Sequence, residues 1–351
     1  MYKIELEPHR LTFRQPAGTS RGVYLHRDLW YLHLSHTDYP GQVGTGECAP
    51  LPQLSCDATP GLPDLLARLC EQINSTGQLP DLESLRPMPS VLFGLEIALR
   101  HLERGSWALW DTPFSRGEEG LQINGLIWMG NKSEMLRRIE EKLLSGFKCL
   151  KLKIGAINFS EELTLLRHIR CHFSAQELEL RVDANGAFSA SEAPERLEAL
   201  AAYDLHSIEQ PIAPRQWEAL ASLVANTPIP IALDEELIGW YTRADKEALL
   251  EAIQPQYIIL KPSLHGSWLG CDEWIDLAEK KAIGWWATSA LESNVGLNAI
   301  AQWCAHHRPS LPQGLGTGQL FETNTPLPLI LEGERLWFRD KPMKNLTYAA
   351  Q

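Results

Sequence analysis

The sequence predicts an α/β barrel preceded by a smaller α+β region, and three patterns carry that reading. From about residue 121 a short apolar run and an amphipathic stretch alternate until eight apolar runs have passed. That is the rhythm of βα units and of a parallel sheet. Before that point the chain reads first as alternating strands and then as helices. No GxGxxG follows the first strand of the repeating part, which disfavours an open, doubly wound sheet.

In the first region Tyr2, Ile4 and Leu6, then Val23 to Leu25, then Trp30, Leu32 and Leu34 mark strands, with a break at Pro16, Ala17 and Gly18. Leu62, Leu65, Leu66, Leu69 and Cys70 fall at helical spacing. So do Leu92, Leu95, Ala98 and Leu102, in a run that stops at Gly105. The strands of the repeating part are expected at 123–129, 147–154, 178–184, 206–211, 229–235, 257–262, 284–290 and 311–316. One intervening helix starts from Ser133 as N-cap and stops at Gly146. Another starts from Ser160, with Glu161 and Glu162 in its first turn. The expected division is 1–120 for the first region, 121–321 for the barrel and 322–351 for a tail. The tail's LILEGERLWF reads as one or two strands returning to the first region.

Bulk properties narrow the function. The chain has 351 residues, enough for a barrel plus a companion, and a net charge of −12. That charge argues against a non-specific grip on nucleic acid or on an anionic membrane. An anionic substrate would need a locally positive pocket. The seven cysteines are irregularly spaced and form no CxxC, as expected of free thiols in a reducing compartment. MYKIELEPHRLTF has no apolar core of a signal segment, and no run approaches the ~20 apolar residues of a membrane span. A cytoplasmic protein acting on a small molecule is expected. Nothing in the sequence specifies an oligomeric state.

In a barrel of this kind chemistry sits at the C-terminal ends of the strands. Five successive strands end in Lys153, Asp183, Glu209, Asp234 and Lys261, at separations of 30, 26, 25 and 27 residues. Each separation is about one βα unit, so the five groups should ring one mouth. A single charged residue at a strand end is usually a solvated loop residue, and an Asp there can simply cap the next helix. Three carboxylates at equivalent positions are different, because close like charges raise one another's pKa. A hard divalent cation resolves the repulsion, and magnesium prefers oxygen ligands. Asp183, Glu209 and Asp234 are therefore the expected ligands of Mg2+, with Mn2+ as a possible substitute. Glu235 is a neighbour that could assist or replace Asp234. Lys153 and Lys261 would approach a metal-bound carboxylate substrate from opposite faces as bases. Lys151, two residues from Lys153 and on the same face, would disfavour the charge on Lys153 and contact substrate. Arg181 shares a face with Asp183, to touch substrate or to neutralise the carboxylates.

The KLK, VDAN, IEQP, LDE and LKP segments, in this order, resemble the enolase superfamily and its muconate-lactonizing-enzyme-like subgroup. The resemblance covers the whole chain. It implies a (β/α)7β modified TIM barrel under an α+β capping domain, whose loops near Phe13–Gly22 and Ala49–Ser55 close over the mouth. The segments ATSALESNVGLNAIAQW (287–303) and GLGTGQLFETN (314–324) resemble the dehydratases of that subgroup. Ser289, Gly316 and Thr317 would then line the substrate site. Gly-Thr-Gly stands where dipeptide epimerases carry an acidic motif for an α-ammonium group, which points to a substrate without a cation. The implied reaction is syn dehydration of 2-succinyl-6-hydroxy-2,4-cyclohexadiene-1-carboxylate to o-succinylbenzoate, a step of menaquinone or phylloquinone synthesis. The alternatives are an N-acylamino acid racemase on the same lysines, a dual activity, a muconate-type cycloisomerase and a non-catalytic binding barrel.

Overall fold

The computed structural model describes residues 1–19 and 22–339. Three strands open the chain: β1 (Tyr2–Thr19), β2 (Gly22–His36) and β3 (Gly44–Cys48), paired antiparallel in that order. Helices α1 (Leu62–Thr76) and α2 (Pro89–Arg104) pack on this sheet. Each ends at a left-handed glycine, Gly77 or Gly105, where the missing Cβ removes the steric cost. α2 lies close on β3. A Cβ on Gly44 would fall 1.9 Å from Ala98 O, and one on Gly46 1.8 Å from Gly94 O. Leu92, Leu95 and Leu102 are buried in the same cluster, each worth about 2 kcal/mol of burial. The segment expected as a first loop, Phe13–Gly22, is instead the end of the β1–β2 hairpin. Its register shifts between Thr12 and Ala17, around Pro16, which has no N–H for the ladder. Ser20 and Arg21 lie outside the described residues.

The repeating part begins with β4 (Leu121–Gln122) and β5 (Gly125–Ile127). It continues through α3 (Lys132–Leu144), β6 (Cys149–Lys153), α4 (Phe159–Arg170), β7 (Glu179–Asp183), α5 (Ala193–Ala201), β8 (Ser207–Glu209) and α6 (Trp217–Asn226). It closes with β9 (Ile231–Leu233), α7 (Arg243–Ile253), β10 (Tyr257–Leu260), α8 (Ser267–Lys280), β11 (Gly284–Ala287) and α9 (Asn294–His307). β5 to β11 form one parallel sheet in sequence order, as the alternation predicts. Leu150, Leu180, Ile208, Ile231 and Ile258 are fully buried along its strands, as a sheet covered on both faces requires.

The expected eighth strand, 311–316, is not a full strand. Pro312 cannot donate to a ladder, and only Gln313 and Gly314 bridge, to Ile123 and Thr288 respectively. Those two residues nonetheless close the ring. Gln313 N donates to Gln122 O and Asn124 N to Gln313 O, each at 2.9 Å; Gly314 N donates to Ala287 O at 2.8 Å and Ser289 N to Gly314 O at 3.2 Å. Two helix starts also differ from expectation. Asn131, not Ser133, caps α3, in a capping box with Glu134. Asn158, not Ser160, caps α4. In both cases an asparagine two residues upstream offers the same acceptor earlier. The tail forms β12 (Leu329–Glu332) and β13 (Arg335–Phe338). This hairpin pairs with β4, not with the first sheet, and lies against the N-terminal ends of the first barrel strands, where Ile123 N donates to Glu334 O at 2.8 Å. The link to the first sheet comes earlier, where Phe13 bridges Phe321. Residues 340–351 lie outside the described residues. No described helix is long and apolar enough to cross a membrane.

Two carboxylates from the first region cap barrel helices across the contact. Glu47 of β3 accepts from Ser293 N at 2.8 Å and from Gly296 N at 2.7 Å, at the start of α9. Glu96 of α2 accepts from the Ser267 hydroxyl and from Trp268 N at the start of α8. Each satisfies free helix-end donors and meets the positive end of the helix dipole. Burial nevertheless pushes both carboxyls up, from 4.5 to about 7. Between those values the unfolded chain has released a proton that the folded state still holds. Stability therefore falls as pH rises from about 4.5 to about 7 and levels off above. Glu96→Gln keeps an acceptor for Ser267 and removes that titration. In urea unfolding at pH 5 and pH 7.5, the wild type should lose on the order of 1–3 kcal/mol relative to Glu96→Gln; an equal pH response in the two proteins would refute the assignment.

Candidate active site

The parallel register sets the expected residues at one height. Lys153 is the Cα partner of Asp183, and Asp183 that of Glu209, across β6, β7 and β8. Asp234 and Lys261 follow directly on the ends of β9 and β10. Asp183, Glu209 and Asp234 are all 1% exposed or less. A lysine therefore stands on each side of a three-carboxylate arc.

The side chains meet as well. Lys151 Nζ lies 2.9 Å from Asp183 Oδ2 and 2.8 Å from Glu209 Oε2. Lys153 Nζ donates to Asp183 Oδ2 at 2.5 Å and to Asn185 Oδ1 at 2.9 Å. Lys261 Nζ donates to Asp234 Oδ2 at 2.5 Å. Glu209 is in contact with both Asp183 and Asp234. Glu235 stands beside this set, accepting from Asn185 Nδ2 at 3.0 Å. Asp234 thus meets Lys261 and Glu209, whereas Glu235 meets Asn185.

Burial opposes every charge here, and the partners decide the outcome. Burial would raise Asp183, but Lys151 and Lys153 overcome it and hold the carboxyl well below the usual range. Burial is likewise overcome by Lys261 at Asp234, which is lowered. At Glu209 burial and the neighbouring Asp183 win over Lys151, and the carboxyl is pushed far up. Burial would lower Lys151, but Asp183 and Glu209 push its ammonium up. Lys151 is therefore a fixed cation wedged between two carboxylates.

With all four carboxylates ionised, as a bound dication would favour, they would leave one negative charge against the three lysines. A dication would turn the set positive by one, and a substrate carboxylate would neutralise it. Glu209 Oε1 and Asp234 Oδ1 are buried and accept from no group, as is Glu235 Oε2. Hard oxygen atoms without donors are what a magnesium-like cation takes. By donor chemistry these carboxylates fit such a cation, although among the described residues no three such groups stand gathered about one point as they are.

Side chains beyond the five hold the arc in place. Asn185 N donates to Asp183 Oδ1 at 3.0 Å, and Asn185 sits at φ +45°. Gln210, at φ +39°, accepts with Oε1 from both Asp234 N and Glu236 N at 3.2 Å. Strained left-handed positions directly behind two arc carboxylates are typical of functional sites. His265 Nδ1 accepts from Lys261 N at 3.0 Å, so its proton is on Nε2, and burial keeps the imidazole neutral, its pKa lowered to about 3. These residues stood inside or beside the VDAN, IEQP and LKP segments. The available signal was a polar side chain within four residues after a strand-end charge.

Lys151, Lys153, Lys261, Ser289, Gly316 and Thr317 all line one pocket over the arc. Ser289 and Thr317 are hydrogen-bonded to each other at 2.6 Å. Arg181 is elsewhere. It is inward-facing but two residues deeper than Asp183, about 6–7 Å down the strand. There it pairs with Glu179 at 2.7 Å, donates to Pro312 O at 2.9 Å and stacks on Trp286. Neither substrate contact nor neutralisation of the arc fits that position. The first region also reaches the pocket, through Tyr24, Leu51 and Leu54.

Comparison with known proteins agrees with this geometry. Residues 134–342 match the family described as enolase C-terminal domain-like. The o-succinylbenzoate synthase of Desulfotalea psychrophila is 47% identical over 95% of this chain and 98% of its own length. That of Thermosynechococcus vestitus is 26% identical over 96% and 98%. The crystal structure of MenC from Desulfotalea psychrophila superposes with a TM-score of 0.84 at 40% identity, covering 96% of this chain and 99% of the other. An o-succinylbenzoate synthase from Thermosynechococcus elongatus, complexed with Mg in the active site, gives 0.72 at 25% identity over 89% and 92%. With the parallel strands, their five charged ends and a near-full-length relative at this identity, the chain belongs to the o-succinylbenzoate synthase family of the enolase superfamily.

Proposed function

We propose that this protein catalyses the syn dehydration of 2-succinyl-6-hydroxy-2,4-cyclohexadiene-1-carboxylate to o-succinylbenzoate, in the cytoplasm, with Mg2+ held by Asp183, Glu209 and Asp234. The observation that carries the reading is a lysine on each flank of a buried carboxylate arc, both opening into one pocket. When bound, the cation supplies Lewis-acid polarisation of a substrate carboxylate, which eases loss of the α-proton. Mn2+ is the expected substitute. Lys153 Nζ takes the α-proton, and the C–H electron pair moves into the ring–carboxylate system. Lys261, on the opposite flank, stabilises the negative charge that develops there. Lys153 then returns its proton to the leaving hydroxyl on the same face. The C–O bond breaks, water departs and the ring becomes aromatic. One residue performs both transfers because proton and hydroxyl leave from one side. Lys151 keeps Asp183 ionised throughout, and Ser289, Gly316 and Thr317 bound the substrate on the barrel side.

We propose further that residues 1–120 act as a cap on the barrel of 121–321, joined by the start of the tail at Glu322 and Thr325 but not by its hairpin. The separate apolar cluster between the first sheet and α1 and α2 supports that division, as does the reach of Leu51 and Leu54 into the pocket. A second reading, racemisation of N-acylamino acids, is favoured by one observation: both lysines open to the same pocket, as two-base proton exchange needs.

Loss of diene absorbance with Mg2+ and none with EDTA is the expected result for the purified protein. A folded, metal-loaded sample without turnover would move the assignment to the racemase, which deuterium exchange into an N-succinylamino acid would then report. Lys153→Ala should lower turnover by at least about 1,000-fold with the fold intact; substantial remaining activity would remove Lys153 as the base. Asp183→Asn should lose Mg2+ affinity by calorimetry, and unchanged binding would contradict its place among the ligands.

A further inference from the structure

The outer wall of the pocket comes from two segments far apart in sequence. Leu51 and Leu54 stand on the segment after β3, and Ala290 and Leu291 on the segment after β11. One buried cation joins them. Arg27 of β2 is 1% exposed, and among the described residues no carboxylate forms an ion pair with it. It donates instead to main-chain carbonyls of both segments. Nε donates to Leu291 O at 3.2 Å and Nη2 to Ala290 O at 3.4 Å. Nη1 donates to Pro50 O, and Nη2 also to Ala49 O.

Other contacts serve the same end. Tyr24, on the same strand, donates its hydroxyl to Pro52 O at 3.0 Å. Within the segment, Leu51 N donates to Ser55 Oγ at 2.7 Å. Leu291 is held at φ +65°, a conformation that persists only when its surroundings dictate it. Burying a guanidinium is costly, so four carbonyl partners without an ion pair need a reason. Only the planar, five-donor fork of arginine can address carbonyls in two segments at once. Burial lowers the pKa of its guanidinium, and the nearby Glu292 and Glu47 oppose that only in part.

We propose that Arg27 is a positioning residue for the reaction. It locks segments 49–55 and 290–291 together, so that Leu51, Leu54 and Leu291 form one fixed apolar wall against the methylene chain of the substrate. The identity of that substrate rests on the dehydration proposed above; the clamp itself does not. The wall grips parts of the substrate that do not react, so its loss weakens binding more than it slows chemistry.

The test uses Arg27→Lys, which keeps the charge and loses the fork, and Arg27→Gln, which keeps one donor arm. In both, hydrogen exchange should speed up in peptides covering 49–55 and 288–292, with the strands at 149–153 and 179–183 still protected. KM for the cyclohexadiene carboxylate should rise about tenfold or more, with kcat within about threefold. Unchanged exchange in both segments overturns the clamp. Loss of kcat at constant KM overturns its role in the wall. If the wild type itself does not turn over the diene, the dehydration reading fails, and the exchange measurement alone decides the clamp.

Discussion

The mutual repulsion of carboxylates buried at the barrel mouth is the constraint on which the rest of the structure depends. Asp183, Glu209 and Asp234 are removed from water, and Glu235 is nearly so. Water cannot screen them, and an apolar surround would force them to take up protons. The protein answers with Lys151, Lys153 and Lys261 inside hydrogen-bonding distance. The compensation is incomplete, and the incompleteness is useful. Glu209, squeezed between two other carboxylates, is pushed far up, and buried oxygens of Glu209 and Asp234 remain without donors. A site satisfied by its own lysines would have no use for a dication.

Holding such a set requires geometry that cannot drift. The parallel ladder supplies height, since Lys153, Asp183 and Glu209 are register partners. The turns behind the strands supply direction, through Asn185 and Gln210 in left-handed conformations. The same polar groups that brace the carboxylates also satisfy buried backbone amides of those turns, as with Gln210 and the amides of Asp234 and Glu236. Function and local folding therefore draw on the same hydrogen bonds.

The contact between the first region and the barrel follows a similar logic. Its apolar part is ordinary, but its directional part includes buried charged side chains. Glu47 and Glu96 meet helix starts, and Arg27 meets carbonyls. A buried ion with several fixed partners tolerates little displacement, which suits an interface whose edge is the wall of a pocket. The polar layer at the bottom of the barrel, where Arg181 joins Glu179 and Trp286, is a separate solution to a separate burial.

The sequence by itself determined the alternation of strands and helices, the barrel class and the five strand-end charges. These are local or periodic signals: one βα unit per repeat places one group per strand at one height. Helix starts at Asn131 and Asn158 were misplaced by two residues, because several polar residues compete for one cap. The eighth strand shrank to Gln313 and Gly314, because its pairing depends on what β5 and β11 leave open. Arg181 shared a face with Asp183, but depth along the strand, not face, decides whether a side chain reaches the mouth. The clamp at Arg27 had no sequence signal at all. Its partners are main-chain carbonyls at positions 49, 50, 290 and 291, and a carbonyl carries no residue identity. Only the tertiary structure could bring those four oxygens around one guanidinium.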